Sequence, residues 1–282
     1  MSTFGRSEYG YRPRLLNGRM MIALAIALFS IVSYFMKSSV NPVTGKKQHI
    51  GVSAQQEMAL GLQAAPNLVR QYGGESSDAR GRAAVEQVGQ RIVQNSDAKK
   101  GPYQYEFHLL ADPDTINAFA LPGGQVFMTE ALFRRLTTPG QIAGVLAHEV
   151  GHVIGRHGAE QLEQRKLTQG LTGAAVLASY DPRNPRSAQN AYIATMIGQL
   201  VNLKYGRGDE IESDYFGVRL MSQAGYDPRS MLKVMEILRG AAKGPRPPEF
   251  FSTHPDPGNR LENIQEEIKK AFPSGVPEEL EE

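Results

Sequence analysis

The chain has 282 residues, 41% of them hydrophobic and 21% charged, with a formal net charge of +2. That is the composition of one sizeable globular domain with appendages, and so small a net charge leaves no electrostatic footprint for nucleic acid. Cysteine is absent, which excludes disulfides, thiolate metal sites and a cysteine nucleophile.

The first element is apolar. Residues 20–36 read MMIALAIALFSIVSYFM, 17 residues without a charge. At 1.5 Å per residue this is close to the shortest span that crosses a bilayer core. Arg6, Arg12, Arg14 and Arg19 precede it against the single acid Glu8. That asymmetry keeps the N-terminus on the cytoplasmic side and sends the remaining chain outward. The pattern divides the chain into a basic tail (1–19), a transmembrane anchor (20–36), a linker (37–50), a folded domain (51–272) and an acidic disordered tail (273–282). A cleaved signal peptide, a buried core helix and a mitochondrial import sequence are the competing readings of the same stretch.

Ser53 starts a helix as its cap, and a second helix runs from Asp78 to about Gln94 with Val85, Val88 and Ile92 at helical spacing. Residues 103–110 (YQYEFHLL) and 125–129 (QVFMT) read as strands, and 130–136 as a short helix. Thr138 caps the next helix with Pro139 at its first position. Further helices are predicted over 159–179, 187–203, 209–224, 228–240 and 260–272, with a proline-rich loop over 243–258. Few strands among many helices predict an α+β domain, mainly helical, with a small β-sheet.

The helix after Thr138 carries LAHEVGHVIGRH (146–157). Residues four apart on a helix share a face, so His148 and His152 present two imidazoles to one metal ion. Glu149 beside them can reach an activated water without ligating the metal, the arrangement of a metal-dependent hydrolase. The stretch is apolar on nearly every side, and burying these three groups without a partner is costly. His157 lies nine positions after His148, on the opposite face of a continuous helix, and reads as a surface residue unless Gly155 ends the helix early. A third ligand comes from GDEIESDYFG (208–217), where Glu210 and Asp214 share a face. Glu210 as ligand, with Asp214 orienting His148, is one reading; a solvated acidic helix start is the other, and the two weigh equally here. Glu212 faces elsewhere.

Four blocks in order, NAFALPGG (117–124), LAHEVGHVIGRH (146–157), EIESD (210–214) and STHPDPGNR (252–260), resemble the zinc metallopeptidases that include the HtpX, CAAX prenyl-protein protease, Oma-type and BepA-like enzymes. Ser213 stands where that family usually has alanine. The resemblance covers about residues 50–272 and implies a zincin-like (gluzincin) domain holding one Zn²⁺ on His148, His152 and Glu210. It makes Glu149 the general base. It also brings His254 to the site, as an oxyanion donor or as the occupant of the open metal position, and gives Arg260 the part of loop anchor or oxyanion donor. Gly123 to Met128 is expected to be the edge strand that pairs with a substrate backbone. Residues 167–179 and 189–203 are too short and too interrupted for the extra spans of the membrane members, which points to the single-anchor branch. The implied function is a membrane-anchored endopeptidase acting on misfolded envelope proteins. Its place is the outer side of the cell inner membrane, with the mitochondrial inner membrane as the alternative. A chaperone or assembly factor that uses the same grooves and cleaves little is the second hypothesis.

Overall fold

The computed structural model describes residues 18–179, 205–244, 247–256 and 258–282. The chain divides into two compact units. The smaller, Met1–Tyr34 with Arg165–Val201, contains most of helix α1 (Gly18–Met36) and the second half of helix α6 (His157–Ser179). Helix α1 is long and apolar enough to cross a membrane, and its large side chains, Leu28, Phe29 and Phe35 among them, are exposed. The helix expected over 187–203 lies outside the described residues, as do Arg6, Arg12 and Arg14.

The larger unit, Phe35–Gln164 with Asn202–Glu282, holds the core. Its helices begin where local chemistry says they should. Ser53 opens α2 (Ala54–Gln71) with a reciprocal capping box to Gln56, and Asp78 caps α3 (Ala79–Gln94) through the amides of Arg80 and Gly81. Thr138 accepts from the amide of Gln141 at the head of α5 (Pro139–Gly155), with Pro139 in the first turn. Helix α5 is buried from Gly140 to Gly155. It packs most extensively on α7 (Arg207–Gln223), and also on α3, α8 (Ser230–Ala241) and the sheet, so its side chains meet protein on every side. The short α4 (Glu130–Phe133) and α9 (Phe250–Thr253), with α10 (Arg260–Ala271), complete the described α-helices of this unit apart from the start of α6, and a 3-10 turn spans Asp97–Lys100.

The main sheet has three strands in the order β3–β5–β4. Strand β3 (Glu106–Leu110) runs parallel to β5 (Gln125–Thr129), with Leu110 opposite Thr129. Strand β4 (Ala118–Ala120) runs antiparallel to β5, with Phe119 opposite Phe127. This corrects the sequence expectation for Gly123 to Met128. Strand β5 is the fully buried centre of the sheet and β3 and β4 are its edges; among the described residues a bridge from Glu75 covers β3 at Leu110, which leaves β4 as the candidate edge for a substrate. Gly123 is needed for a different close approach: with φ of 91°, its missing Cβ would sit 2.3 Å from the Cα of Met58 in α2.

Two terminal segments also differ from expectation. The stretch read as a linker holds a small hairpin, β1 (Ser39–Val40) with β2 (Lys47–Gln48). From it Asn41 Nδ2 donates to the carbonyl of Ile154 at 2.7 Å, and Gln48 Nε2 to that of Gly155 at 2.6 Å. These are orphan carbonyls at the end of α5, and the hairpin satisfies them. The tail read as disordered is tied down by backbone: Glu281 bridges Tyr226, with its amide bonded to Gly225 at 3.0 Å and its carbonyl accepting from Asp227 at 2.8 Å.

Candidate metal centre

Helix periodicity sets the centre. His148 and His152, one turn apart on α5, bring their Nε2 atoms within 3.1 Å of each other. Helix α7 lies against this face and supplies Glu210, whose Oε2 is 3.5 Å from His148 Nε2 and whose Oε1 is 3.5 Å from His152 Nε2. His254, the residue that ends α9, places Nδ1 at 3.1 Å from Glu210 Oε1 and 3.4 Å from His148 Nε2. All four are buried, and their candidate ligand atoms lie within 4.8 Å of one another.

These residues fit a zinc ion. Tetrahedral bonds of about 2.0–2.1 Å put neighbouring ligand atoms roughly 3.3–3.4 Å apart, and the separations above cluster around that value. The protons agree as well. His148 Nδ1 lies 2.9 Å from Asp214 Oδ1, so the ring keeps a hydrogen there and leaves Nε2 as the nitrogen a metal ion would take. Two imidazole nitrogens and a buried carboxylate pressed together call for a cation between them, the role a metal ion would take over from the proton on His148.

Without a metal ion the cluster keeps a positive charge of its own, on His148. Burial and Arg260 both oppose charge on His148, yet Asp214 and Glu210 raise its pKa to about 9. Burial also works against an ionised Glu210, but His254, His148 and His152 hold its carboxyl below the usual range. Burial drives His152 the other way and keeps it neutral, as a metal ligand must be.

Glu149 is fully buried, and neither carboxylate oxygen has a hydrogen-bond partner among the described residues. Its Oε1 lies 3.6 Å from His254 Nε2, which also lacks a bond. Burial raises the Glu149 pKa, with His254 and His148 opposing. A costly orphan of this kind beside a metal site is the signature of a working group rather than a packing one.

Asp214 is braced from behind. Arg260 Nε and Nη2 form a fork onto its two oxygens at 2.7 Å each, and Arg260 Nη1 reaches Glu210 Oε2 at 3.2 Å. Burial raises the Asp214 carboxyl, and Arg260 and His148 outweigh it, so the group stays ionised. The contact ties the end of the proline-rich loop to α7, in keeping with the loop-anchor expectation, and it also holds the carboxylate that holds His148. Two further groups escaped the sequence reading. Tyr205 stacks on the His152 ring at 4.1 Å. His157 is buried rather than exposed, because α5 does end at Gly155 and the ring turns back to His152.

Fold and site together define a metallopeptidase of the zincin type, with the His-Glu-x-x-His helix and a glutamate third ligand. The chain belongs to peptidase family M48, whose sequence profile matches residues 79–268. It is 30% identical over 236 residues to the beta-barrel assembly-enhancing protease of Escherichia coli, covering 80% of this chain and 48% of that one. It is 31% identical over 244 residues to the mitochondrial metalloendopeptidase OMA1 of Schizosaccharomyces pombe, covering 85% and 69%. With OMA1 of Saccharomyces cerevisiae it shares 29% identity over 291 residues, covering 95% and 81%. The chain thus spans about half the length of the first of these relatives.

Proposed function

We propose that the protein is a membrane-anchored zinc endopeptidase acting on unfolded or unassembled proteins beside the membrane. The observation that carries this reading is the unpartnered Glu149 carboxylate next to the four converging ligand groups. A structural metal site has no use for a buried base, so the same observation favours catalysis over a purely chaperoning role.

In this mechanism His148, His152 and Glu210 hold the metal. Bound zinc supplies a Lewis acid that activates water and polarises the scissile carbonyl. Asp214 keeps the proton of His148 on Nδ1 and so keeps Nε2 available. Glu149 accepts the proton of the attacking water and returns it to the leaving amine. The substrate chain adds to the β4 edge of the sheet, which pairs with no further strand among the described residues. A small cleft lined by Ala120, Leu121, Pro122, His152 and Tyr205 leads from the end of β4 toward the site. Helix α1 provides the anchor. The relatives are named a beta-barrel assembly-enhancing protease and mitochondrial metalloendopeptidases, which fits a setting beside a bacterial or mitochondrial membrane; misfolded membrane or envelope proteins as substrates are our inference.

The test uses the full chain in detergent. One zinc per chain by elemental analysis is expected, together with casein cleavage that 1,10-phenanthroline removes and added zinc restores. Cleavage indifferent to the chelator, or no bound zinc, overturns the proposal.

His254 Nδ1 sits among the ligand atoms, where it closes the coordination position that a catalytic site leaves open. The enzyme drawn this way rests in a latent state. His254→Ala is expected to cleave casein several-fold faster than the wild type while keeping its zinc. A fall in turnover at unchanged zinc content places His254 on the substrate oxyanion instead.

A further inference from the structure

We propose that His157, backed by Glu212 and Lys46, is the positioning residue that fixes the proton and orientation of the His152 imidazole. The inference rests on the reading of His152 as a metal ligand and adds residues to that site.

The geometry begins with a broken helix. Five positions further along a continuous α-helix, a side chain points about 140° away. Instead α5 stops at Gly155, Arg156 adopts a left-handed φ of 60°, and α6 starts at His157. The conformation is uncommon for a residue with a side chain, and here the side chain is heavily bonded. Arg156 Nε donates to Glu57 Oε1 at 2.8 Å, Nη1 to Ser39 Oγ at 3.1 Å and Nη2 to the carbonyl of Val52 at 2.8 Å. The break returns His157 to the metal side, where its Nδ1 lies 2.9 Å from His152 Nδ1 and the rings meet edge to face. Gly155 makes room, since a Cβ there would fall 2.3 Å from His157 Nε2.

The protons then follow in sequence. His152 turns Nε2 toward the metal ligands, so that nitrogen is bare and the proton sits on Nδ1. His152 Nδ1 donates to His157 Nδ1, which must also be bare, and Ser213 Oγ donates to the same atom at 3.3 Å. The proton of His157 is therefore on Nε2, facing Glu212 Oε2 at 3.5 Å. The other oxygen of Glu212 pairs with Lys46 Nζ at 2.7 Å. Each histidine ligand thus has a carboxylate behind it. For His148 it is Asp214 directly, and for His152 it is Glu212 through an intervening imidazole. The reading of Glu212 as facing away from the metal was sound in direction and missed this indirect route.

The experiment measures zinc dissociation constants by chelator competition on the full chain in detergent, together with the absorption spectrum of the Co²⁺-loaded protein. His157→Leu keeps the bulk and removes the acceptor, and it is expected to weaken zinc binding about 10–100-fold and shift the cobalt bands. His157→Asn places an acceptor near the position of Nδ1 and is expected to recover most of the affinity. Glu212→Gln, at a partly exposed position where folding is not at stake, is expected to weaken binding by a smaller factor. Wild-type zinc affinity in both His157→Leu and Glu212→Gln overturns the proposal, as does a His157→Asn variant no tighter than His157→Leu. If His157→Leu does not fold, wild-type affinity and cobalt bands in Glu212→Gln overturn it alone. A wild-type protein that binds no zinc overturns the metal-centre reading itself, which distinguishes the two failures.

Discussion

Glu149→Gln is expected to lower peptide hydrolysis by about 10²–10⁴-fold or more while leaving one zinc per chain. Glutamine matches the size of the side chain, so the packing of α5 survives. It cannot take a proton, and that is the one property the mechanism asks of this position. Both carboxylate oxygens are buried and without hydrogen-bond partners, so the exchange breaks no bond within the described chain. Stability is expected to hold or rise, because burial already makes the charged form costly. The check is casein cleavage beside elemental analysis on the same preparation. Turnover equal to the wild type removes Glu149 from the reaction.

Arg260→Leu is expected to destabilise the zinc-free protein by about 3–5 kcal/mol, since it leaves the buried carboxylate of Asp214 without its fork. Glu210 loses a cationic neighbour in the same step. Removing the arginine takes a competing cation away from the cluster, so zinc is expected to stabilise the folded variant more than the folded wild type and the loss to shrink when zinc is present. Chemical denaturation with and without zinc measures both effects. Arg260→Lys is expected to recover only part of the loss, because an ammonium cannot grip two oxygens in a fork. Equal stability of Arg260→Leu and wild type in zinc-free buffer refutes the bracing role.

What could be read in the sequence was what local geometry decides. Ser53, Asp78 and Thr138 cap their helices within four residues, so a short window contains the whole cause. The His148, His152 and Glu210, Asp214 pairs are spaced one helical turn apart, and their faces follow from that spacing alone. The rest depended on contacts distant in the chain. The return of His157 needs a left-handed arginine, and that conformation is held by Glu57, Ser39 and Val52, about a hundred residues earlier. Strand β4 is three residues long and is defined by its register with β5 rather than by any pattern of its own. Gly123 and Gly124 do serve close backbone approaches, but the partners are α2 and the carbonyl of Gln104, not a substrate strand. The acidic end of the chain carries the composition of disorder, yet its backbone is held at Gly225 and Asp227, which composition does not encode.

The hairpin that follows the apolar helix sets a limit on how the peptidase domain can be separated from that helix. Asn41 and Gln48 hold the last carbonyls of the helix that bears both histidine ligands, and Ser39 helps to hold the arginine just beyond them. A deletion carried as far as Ile50, where composition alone would begin the folded domain, strips all three of these supports. A cut before Ser39 keeps them, so a chain shortened in the few residues directly after Met36 is expected to keep its metal site, whereas one shortened to Ile50 is not.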